Sequence, residues 1–355
     1  MNIENTNIES IDKIISPSEL KSKIPLDENT KNNIIKWRNE INDIIQGNDN
    51  RLIVIIGPCS IHDTECALEY ASKLLLLRKF YQNRLFIIMR VYFEKPRTTI
   101  GWKGLINDPD LDGSYNINKG LQLSRELLLK INQMGIPTGC EFLDVFNPQY
   151  YADLVSWGAI GARTTESQLH RELASGLSMP IGFKNGTTGN IEIAIDAIIC
   201  ANYHHVFLGI NDDGNSSIIK THGNKSTHLI LRGGSNGPNY DHVNIGIINK
   251  LLKVKKINTK IIIDCSHGNS GKDFRNQPLV LESIMNQIEN GQTNICGVMI
   301  ESNILEGCQK HNVENGKNGL EYGKSITDEC VNFETSIKMI QRMTNSNIEA
   351  YFNKN

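Results

Sequence analysis

Nine short apolar runs, separated by longer mixed segments, fill the sequence beyond residue 50 and restrict what it can fold into. They cover residues 52–56, 85–91, 136–142, 159–163, 181–184, 206–210, 228–232, 260–264 and 295–300. The runs are rich in Ile and Val and continuous rather than alternating. That pattern belongs to parallel strands buried on both faces. The intervening segments 66–80, 121–134 and 191–201 carry helical spacing. Strand–helix alternation over about 250 residues suits an eight-stranded (β/α) barrel or a doubly wound sheet.

The residues at the end of each run separate the two. Eight runs lead into or end at a reactive or charged residue: Cys59, Arg90, Glu141, Arg163, Lys184, Arg232, His267 and Glu301. Run 206–210 leads instead into the turn sequence Asn211-Asp212-Asp213-Gly214-Asn215 and then 218–221, which reads as a hairpin inserted at 204–223. Polar groups at the ends of successive strands are where a barrel places its active site. A dinucleotide fold would carry a glycine fingerprint after the first strand, and Gly57-Pro58-Cys59-Ser60 is not one. The expected fold is α/β, a (β/α)8 TIM barrel over 51–345, with the hairpin and an N-terminal helical extension over 1–50. Within the extension, Ser16-Pro17-Ser18-Glu19 reads as a helix start and 33–45 has helical spacing.

Charge and composition exclude several partners. With 37 Lys and Arg against 39 Asp and Glu, the net charge is −2, so no basic excess attracts nucleic acid or acidic membrane. No apolar run approaches the ~20 residues of a membrane span. The first 30 residues, with Glu4, Glu9, Asp12 and Glu19, lack the basic start and apolar stretch of a signal peptide. Eight scattered cysteines without a C-x-x-C pair read as reduced thiols of a cytoplasmic protein.

Three constellations carry candidate chemistry. Arg90, Lys95, Arg97, Arg163, Lys184 and Arg232 converge if the barrel forms, and cations gathered at one mouth repel unless an anion sits among them. Arg forks and Lys point charges suit a phosphorylated, multiply anionic ligand. Cys59, His267, Glu301 and a later acid form an S/N/O set suited to a borderline divalent ion. Their spacing is no local motif, and a small core thiol with a rim histidine is the alternative. Lys95-Pro96-Arg97-Thr98-Thr99, followed by Gly101-Trp102-Lys103-Gly104, is a phosphate grip or a solvated basic turn; the residues alone leave both open.

These segments, together with Met89-Arg90, Gly161-Ala162-Arg163, Gly182-Phe183-Lys184-Asn185-Gly186, Leu231-Arg232-Gly233-Gly234, Asp264-Cys265-Ser266-His267 and Ile300-Glu301-Ser302, resemble in order the type I, feedback-regulated 3-deoxy-D-arabino-heptulosonate-7-phosphate (DAHP) synthases. The resemblance runs from about Leu20 to Met343. It implies condensation of phosphoenolpyruvate with erythrose 4-phosphate and release of phosphate, with one divalent metal of the Mn, Fe, Zn or Co class. By resemblance, the metal ligands are Cys59, His267, Glu301 and Asp328. Phosphoenolpyruvate falls to Arg90, Lys95, Ala162, Arg163, Lys184 and Arg232, and erythrose 4-phosphate to Arg97 and Thr98. Lys95, Lys184 and Glu141 are the expected catalytic groups. Asp328 is matched only through Ser325-Ile326-Thr327-Asp328, after an Asn- and Gly-rich loop at 311–324.

The resemblance also implies a homodimer or homotetramer and an aromatic amino acid effector near Asp144, Ser178 and Gly209. Asp144 is expected to meet its ammonium and Phe142 its ring. The small Gly209 favours tyrosine over phenylalanine, with tryptophan still open. Three other readings compete: a Schiff-base aldolase through Lys184, a 3-deoxy-octulosonate 8-phosphate synthase, and a non-enzymatic amino-acid sensor on a decayed barrel. Chelation separates the first, the Lys-Pro-Arg-Thr-Thr segment argues against the second, and the full set of ligands and cations argues against the third.

Overall fold

The computed structural model describes residues 3–345; the first two residues of the expected extension lie outside them. Two helices come first. Pro17 at the first helical turn, and Ser16, whose Oγ accepts from the Glu19 amide at 3.2 Å, start α1 (Pro17–Lys23). Asp27 caps α2 (Glu28–Gln46) through the Thr30 amide at 2.9 Å, and Gly47 at φ +86° ends it. Helix α2 starts earlier than its apolar spacing suggests, because its first turn is polar and is fixed by the cap.

Ten strands come next among the described residues: β1 (Leu52–Gly57), β2 (Leu85–Arg90), β3 (Thr138–Glu141), β4 (Trp157–Ile160), β5 (Ile181–Lys184), β6 (Val206–Ile210), β7 (Ser216–Lys220), β8 (Thr227–Leu231), β9 (Ile261–Asp264) and β10 (Ile295–Glu301). All but β6 and β7 are parallel and close into a barrel, with β1 pairing both β2 and β10. Every residue of β1, β2, β5 and β10 is buried, as continuous Ile/Val runs require. Around them run α3 (Thr64–Tyr81), α4 (Ile117–Gln133), the single-turn α5 (Pro148–Tyr151), α6 (Gln168–Gly176), α7 (Glu192–Ala201), α8 (His242–Val254), α9 (Gln277–Glu289) and α10 (Phe333–Asn345). No helix among the described residues is long and apolar enough to cross a membrane.

The fourth barrel strand differs from its expected span of 159–163. It runs Trp157–Ile160, and the Gly161 carbonyl then accepts from the Thr164 and Thr165 amides, each at 3.0 Å. Arg163 therefore lies in a turn beyond the strand, not at its tip. Strands β6 and β7 form the inserted antiparallel hairpin, turning at Gly214 with φ +79°. Its turn docks on the N-terminal helix: the Ser18 amide donates to the Asp212 carbonyl at 2.7 Å, and Lys21 Nζ meets Asp212 Oδ1 at 2.7 Å. On the other side Tyr150 Oη donates to the Ile15 carbonyl at 2.9 Å, so the extension, the hairpin and the segment after β3 meet.

Candidate active site

The C-terminal ends of the barrel strands open into a cavity of about 1210 Å³. Arg90, Lys95, Arg97, Thr98, Glu141, Ala162, Arg163, Lys184, Arg232, His267, Glu301 and Asp328 all line it. Cys59 lies beneath, fully buried, in the loop leaving β1. Every residue expected at the reacting centre is thus brought to one mouth. Arg90, Lys95 and Arg97 come from β2 and the loop after it, while Arg163, Lys184 and Arg232 come from the ends of or turns after β4, β5 and β8, so barrel closure brings the two groups together.

At the floor, ligand atoms of Cys59, Glu301 and Asp328 lie within 4.8 Å of one another. His267 Nε2 stands beside them, 3.8 Å from Glu301 Oε1. His267 itself has a left-handed backbone, φ +59°, unusual for a residue with a side chain; the Lys272 amide at 2.8 Å and Ser270 Oγ at 3.2 Å both donate to its carbonyl. Glu301 is held at every polar atom. Arg90 Nη2 donates to Oε1 at 2.9 Å, Ser266 Oγ donates to Oε2 at 2.7 Å, and Gln277 bonds both backbone groups at 2.9 and 3.0 Å.

Asp328 arrives after the long loop yet is well placed. Gln309 closes the base of the loop, donating to the Glu321 and Lys324 carbonyls at 2.8 and 3.1 Å and accepting from the Glu321 amide at 2.8 Å. Beyond it Thr327 Oγ1 meets Ser60 Oγ at 2.7 Å, tying the segment to the β1 loop. The loop 311–324 itself leans on neighbouring segments, through His311 Nε2 with the Leu111 carbonyl at 2.7 Å and Tyr322 Oη donating to Glu69 at 2.8 Å.

Lys95 Nζ donates to Cys59 Sγ at 3.0 Å and lies 3.5 Å from Asp328 Oδ2. Burial works against its charge, but Cys59, Asp328 and Glu301 more than offset it and hold the ammonium above its ordinary range. In turn Lys95 keeps the Asp328 carboxyl below the usual carboxylate range. Burial and the Glu301 carboxylate push the Cys59 thiol up to about 12, against the pull of Lys95. A mixed thiol, imidazole and carboxylate set this close together fits a borderline divalent ion.

Beside this floor, Lys184 Nζ lies 3.4 Å from Glu141 Oε2 and 3.5 Å from Asp264 Oδ2. Burial would raise the Glu141 carboxyl, but Lys184, Arg90 and Lys95 lower it further than burial raises it. Gly161 makes room for it: a Cβ there would come 2.6 Å from Glu141 Oε1. At the rim, exposed Arg163 donates to the Pro96 carbonyl and Thr98 Oγ1, both at 3.3 Å, and Arg97 Nε donates to the Trp102 carbonyl at 2.7 Å. The Lys-Pro-Arg-Thr-Thr segment is thus an arm of the mouth, with Arg97, Thr98 and Thr99 exposed.

A second cavity, of about 310 Å³, lies between α5, α6 and the hairpin, with Lys21 of the extension at its wall. Ser178 and Gly209 line it, together with Val145, Phe207 and Ile219. One expectation needs correction. Phe142 is buried in the core against Tyr151, ring centroids 6.1 Å apart, and does not line this cavity. Asp144 adjoins Val145 of the cavity wall, and its Oδ1 accepts from the Phe146 and Asn147 amides at 2.6 and 3.1 Å. Gly209 lines the cavity, and a Cβ there would meet Ile219 Cγ1 at 2.8 Å.

Sequence reasoning assigned no role to Tyr92, Asp264, Ser266 or Gln277. Tyr92 is buried beneath Arg90, whose guanidinium carbon is 3.7 Å from the ring centroid. Asp264 and Ser266 belong to the same short motif as His267, but nothing local gives them a task. Gln277 comes from the start of α9 and has no local signal at all.

The sequence model of the DAHP synthetase I family matches residues 23–341. The chain is 50% identical over 348 residues to the Phe-sensitive phospho-2-dehydro-3-deoxyheptonate aldolase of Escherichia coli K12, covering 98% of each. To the Tyr-sensitive enzyme of the same organism it is 48% identical over 341 residues, covering 96% of this chain and 95% of that one. A solved phospho-2-dehydro-3-deoxyheptonate aldolase from Francisella tularensis SCHU S4 superposes with TM-score 0.93 at 52% identity, covering 96% and 98% of the two chains.

Proposed function

The chain belongs to the DAHP synthetase I family, and from that premise we propose that its barrel mouth joins phosphoenolpyruvate, D-erythrose 4-phosphate and water into DAHP and phosphate through the residues gathered there. The observation that carries this reading is the convergence of six cations with a compact Cys/Glu/Asp group on one cavity. Cys59, Glu301 and Asp328, with the His267 imidazole, would hold a divalent ion of the Mn, Fe, Zn or Co class. When bound, that ion supplies Lewis-acid polarisation of the aldehyde oxygen.

The chain's own groups do the rest. Arg90, Lys95, Arg163, Lys184 and Arg232, with the Ala162 amide, offset the phosphate and carboxylate of phosphoenolpyruvate and aim its enol carbon at the aldehyde. Arg97 and Thr98 take the sugar phosphate on the arm at the rim. Glu141 and Lys184, 3.4 Å apart, form the pair that holds or passes a proton where water adds to the former enol carbon. Lys184 also sits between two carboxylates, as an ion-pair partner rather than the isolated amine an imine would need. Phosphate release from the two substrates should vanish with a chelator and return with added divalent metal. Full activity in chelator would remove the metal and favour imine chemistry.

The two phosphate sites should separate by mutation. Arg97→Ala should chiefly raise KM for erythrose 4-phosphate and Arg232→Ala chiefly that for phosphoenolpyruvate. Each loses about 1.5–3 kcal/mol, roughly tenfold or more, for one charged hydrogen bond. Equal effects on both substrates would contradict this map.

The smaller cavity is the proposed effector site, with Lys21 for the amino acid carboxylate and Phe207 and Ile219 for its ring. Residues 1–50 then serve regulation and, with the hairpin, assembly into a homodimer or homotetramer. The eight free cysteines accord with a cytoplasmic enzyme. Phenylalanine, tyrosine or tryptophan should inhibit the intact chain, and deleting residues 1–30 should relieve it. An intact enzyme indifferent to all three would refute regulation.

A further inference from the structure

Asp264 is a buried carboxylate with no part in the substrate or ligand contacts of the mouth. It ends β9 fully buried, its Oδ1 accepting from the Ser266 amide at 3.0 Å. Its Oδ2 lies between two groups with different tasks, 2.9 Å from His267 Nδ1 and 3.5 Å from Lys184 Nζ. The 2.9 Å separation is within hydrogen-bond reach, and Oδ2 and Nδ1 are both buried, so neither has water as an alternative partner. A buried carboxylate is costly unless it is paired, so its placement calls for a reason.

The reason lies on the far edge of the ring. His267 Nε2 faces the Cys59–Glu301–Asp328 group, 3.8 Å from Glu301 Oε1. An imidazole that gives one nitrogen to a metal carries its hydrogen on the other. A carboxylate taking that hydrogen fixes the ring and raises its basicity. The same carboxylate oxygen faces Lys184, which also faces Glu141. Asp264 therefore belongs to the ligand shell and to the cation cradle at once.

Resting on the metal and phosphoenolpyruvate reading of this mouth, we propose that Asp264 is a positioning residue that couples the two: its Oδ2 orients His267 toward the divalent ion and shares its charge with Lys184. When Lys184 turns to an anionic substrate, more of that charge serves the imidazole. Substrate then tightens metal binding, and metal tightens substrate binding by the same factor. A role confined to the turn would need only Oδ1 and the Ser266 amide, which an asparagine retains.

The experiment is a titration with Co²⁺ alone, read by chelator competition and by the absorption of the Co²⁺–thiolate bond, on chains whose folding is checked by circular dichroism. Asp264→Asn should weaken Co²⁺ binding by about 10- to 100-fold with the fold intact. Lys184→Gln should tighten Co²⁺ binding at least about threefold in the parent and leave it unchanged in the Asp264→Asn background, the coupling expected of contacting residues. Saturating phosphoenolpyruvate should tighten Co²⁺ binding more in the parent than in Asp264→Asn. An Asp264→Asn chain that binds Co²⁺ within about threefold of the parent overturns the proposal. If that variant does not fold, Lys184→Gln alone decides, and unchanged or weaker Co²⁺ binding overturns it. A parent chain that binds no Co²⁺ defeats the metal reading itself, which is a different result from losing only the coupling.

Discussion

Cys59→Ala should abolish metal-supported turnover, lowering kcat by about 10³-fold or more, while the barrel stays folded. A Lewis acid at the aldehyde oxygen contributes several kcal/mol to the transition state, and each ~1.4 kcal/mol is tenfold in rate. Cys59 is fully buried and supplies the single sulfur of the floor group, with Lys95 and Asp328 beside it at 3.0 and 3.5 Å. Its removal leaves two carboxylates and an imidazole, a weaker site for borderline ions. The side chain is small and carries no strand pairing, so the loss should fall on metal binding and not on folding. Turnover and bound metal per chain should both be measured. Wild-type rate with stoichiometric metal in Cys59→Ala would defeat the assignment.

Glu301→Gln should cost about 3–5 kcal/mol of stability in the metal-free chain, the usual result of breaking a buried ion pair from one side. Arg90 and Glu301 are 2.9 Å apart with side chains 1% and 0% exposed. Glutamine keeps most of the shape but leaves the guanidinium with the Pro58 and Cys59 carbonyls, at 3.1 Å each, in place of its charged partner. Relief of repulsion between Glu301 and Asp328 works in the opposite direction. It is the smaller effect, because the Asp328 side chain is 63% exposed whereas that of Arg90 is 1% exposed. Urea unfolding of the two chains without metal measures the difference. A change under about 1 kcal/mol would mean that the remaining contacts of Arg90 carry the charge.

The eight barrel strands were legible because each is buried on both faces, and burial on both faces leaves a continuous run that any window detects. Their ends were less so. β4 begins at Trp157 and stops at Ile160, since the stopping point is set by the turn on the Gly161 carbonyl rather than by where apolar residues give out. Resemblance named the residues of the mouth; the residues by themselves left the Lys95–Thr99 arm and the Cys59–His267 pair ambiguous. Of the residues expected around an effector, Ser178 and Gly209 line the smaller cavity, whereas Phe142 is buried in the core, which depends on how the chain turns after β3.

The sequence by itself determined the class of fold, the inserted hairpin and the kinds of chemistry at the strand ends, because periodicity, turn residues and side-chain type are local properties. The tertiary structure alone decided that Asp264 touches both His267 and Lys184, that Gln277 of α9 holds Glu301, and that Gln309 closes the base of the long loop ahead of Asp328. Apart from the contact of Asp264 with His267, three residues away, each of these joins residues well separated in the chain, and no short-range pattern encodes such a contact. Closure of the barrel brings them within bonding distance, and their charges and hydrogen bonds acquire their meaning only there.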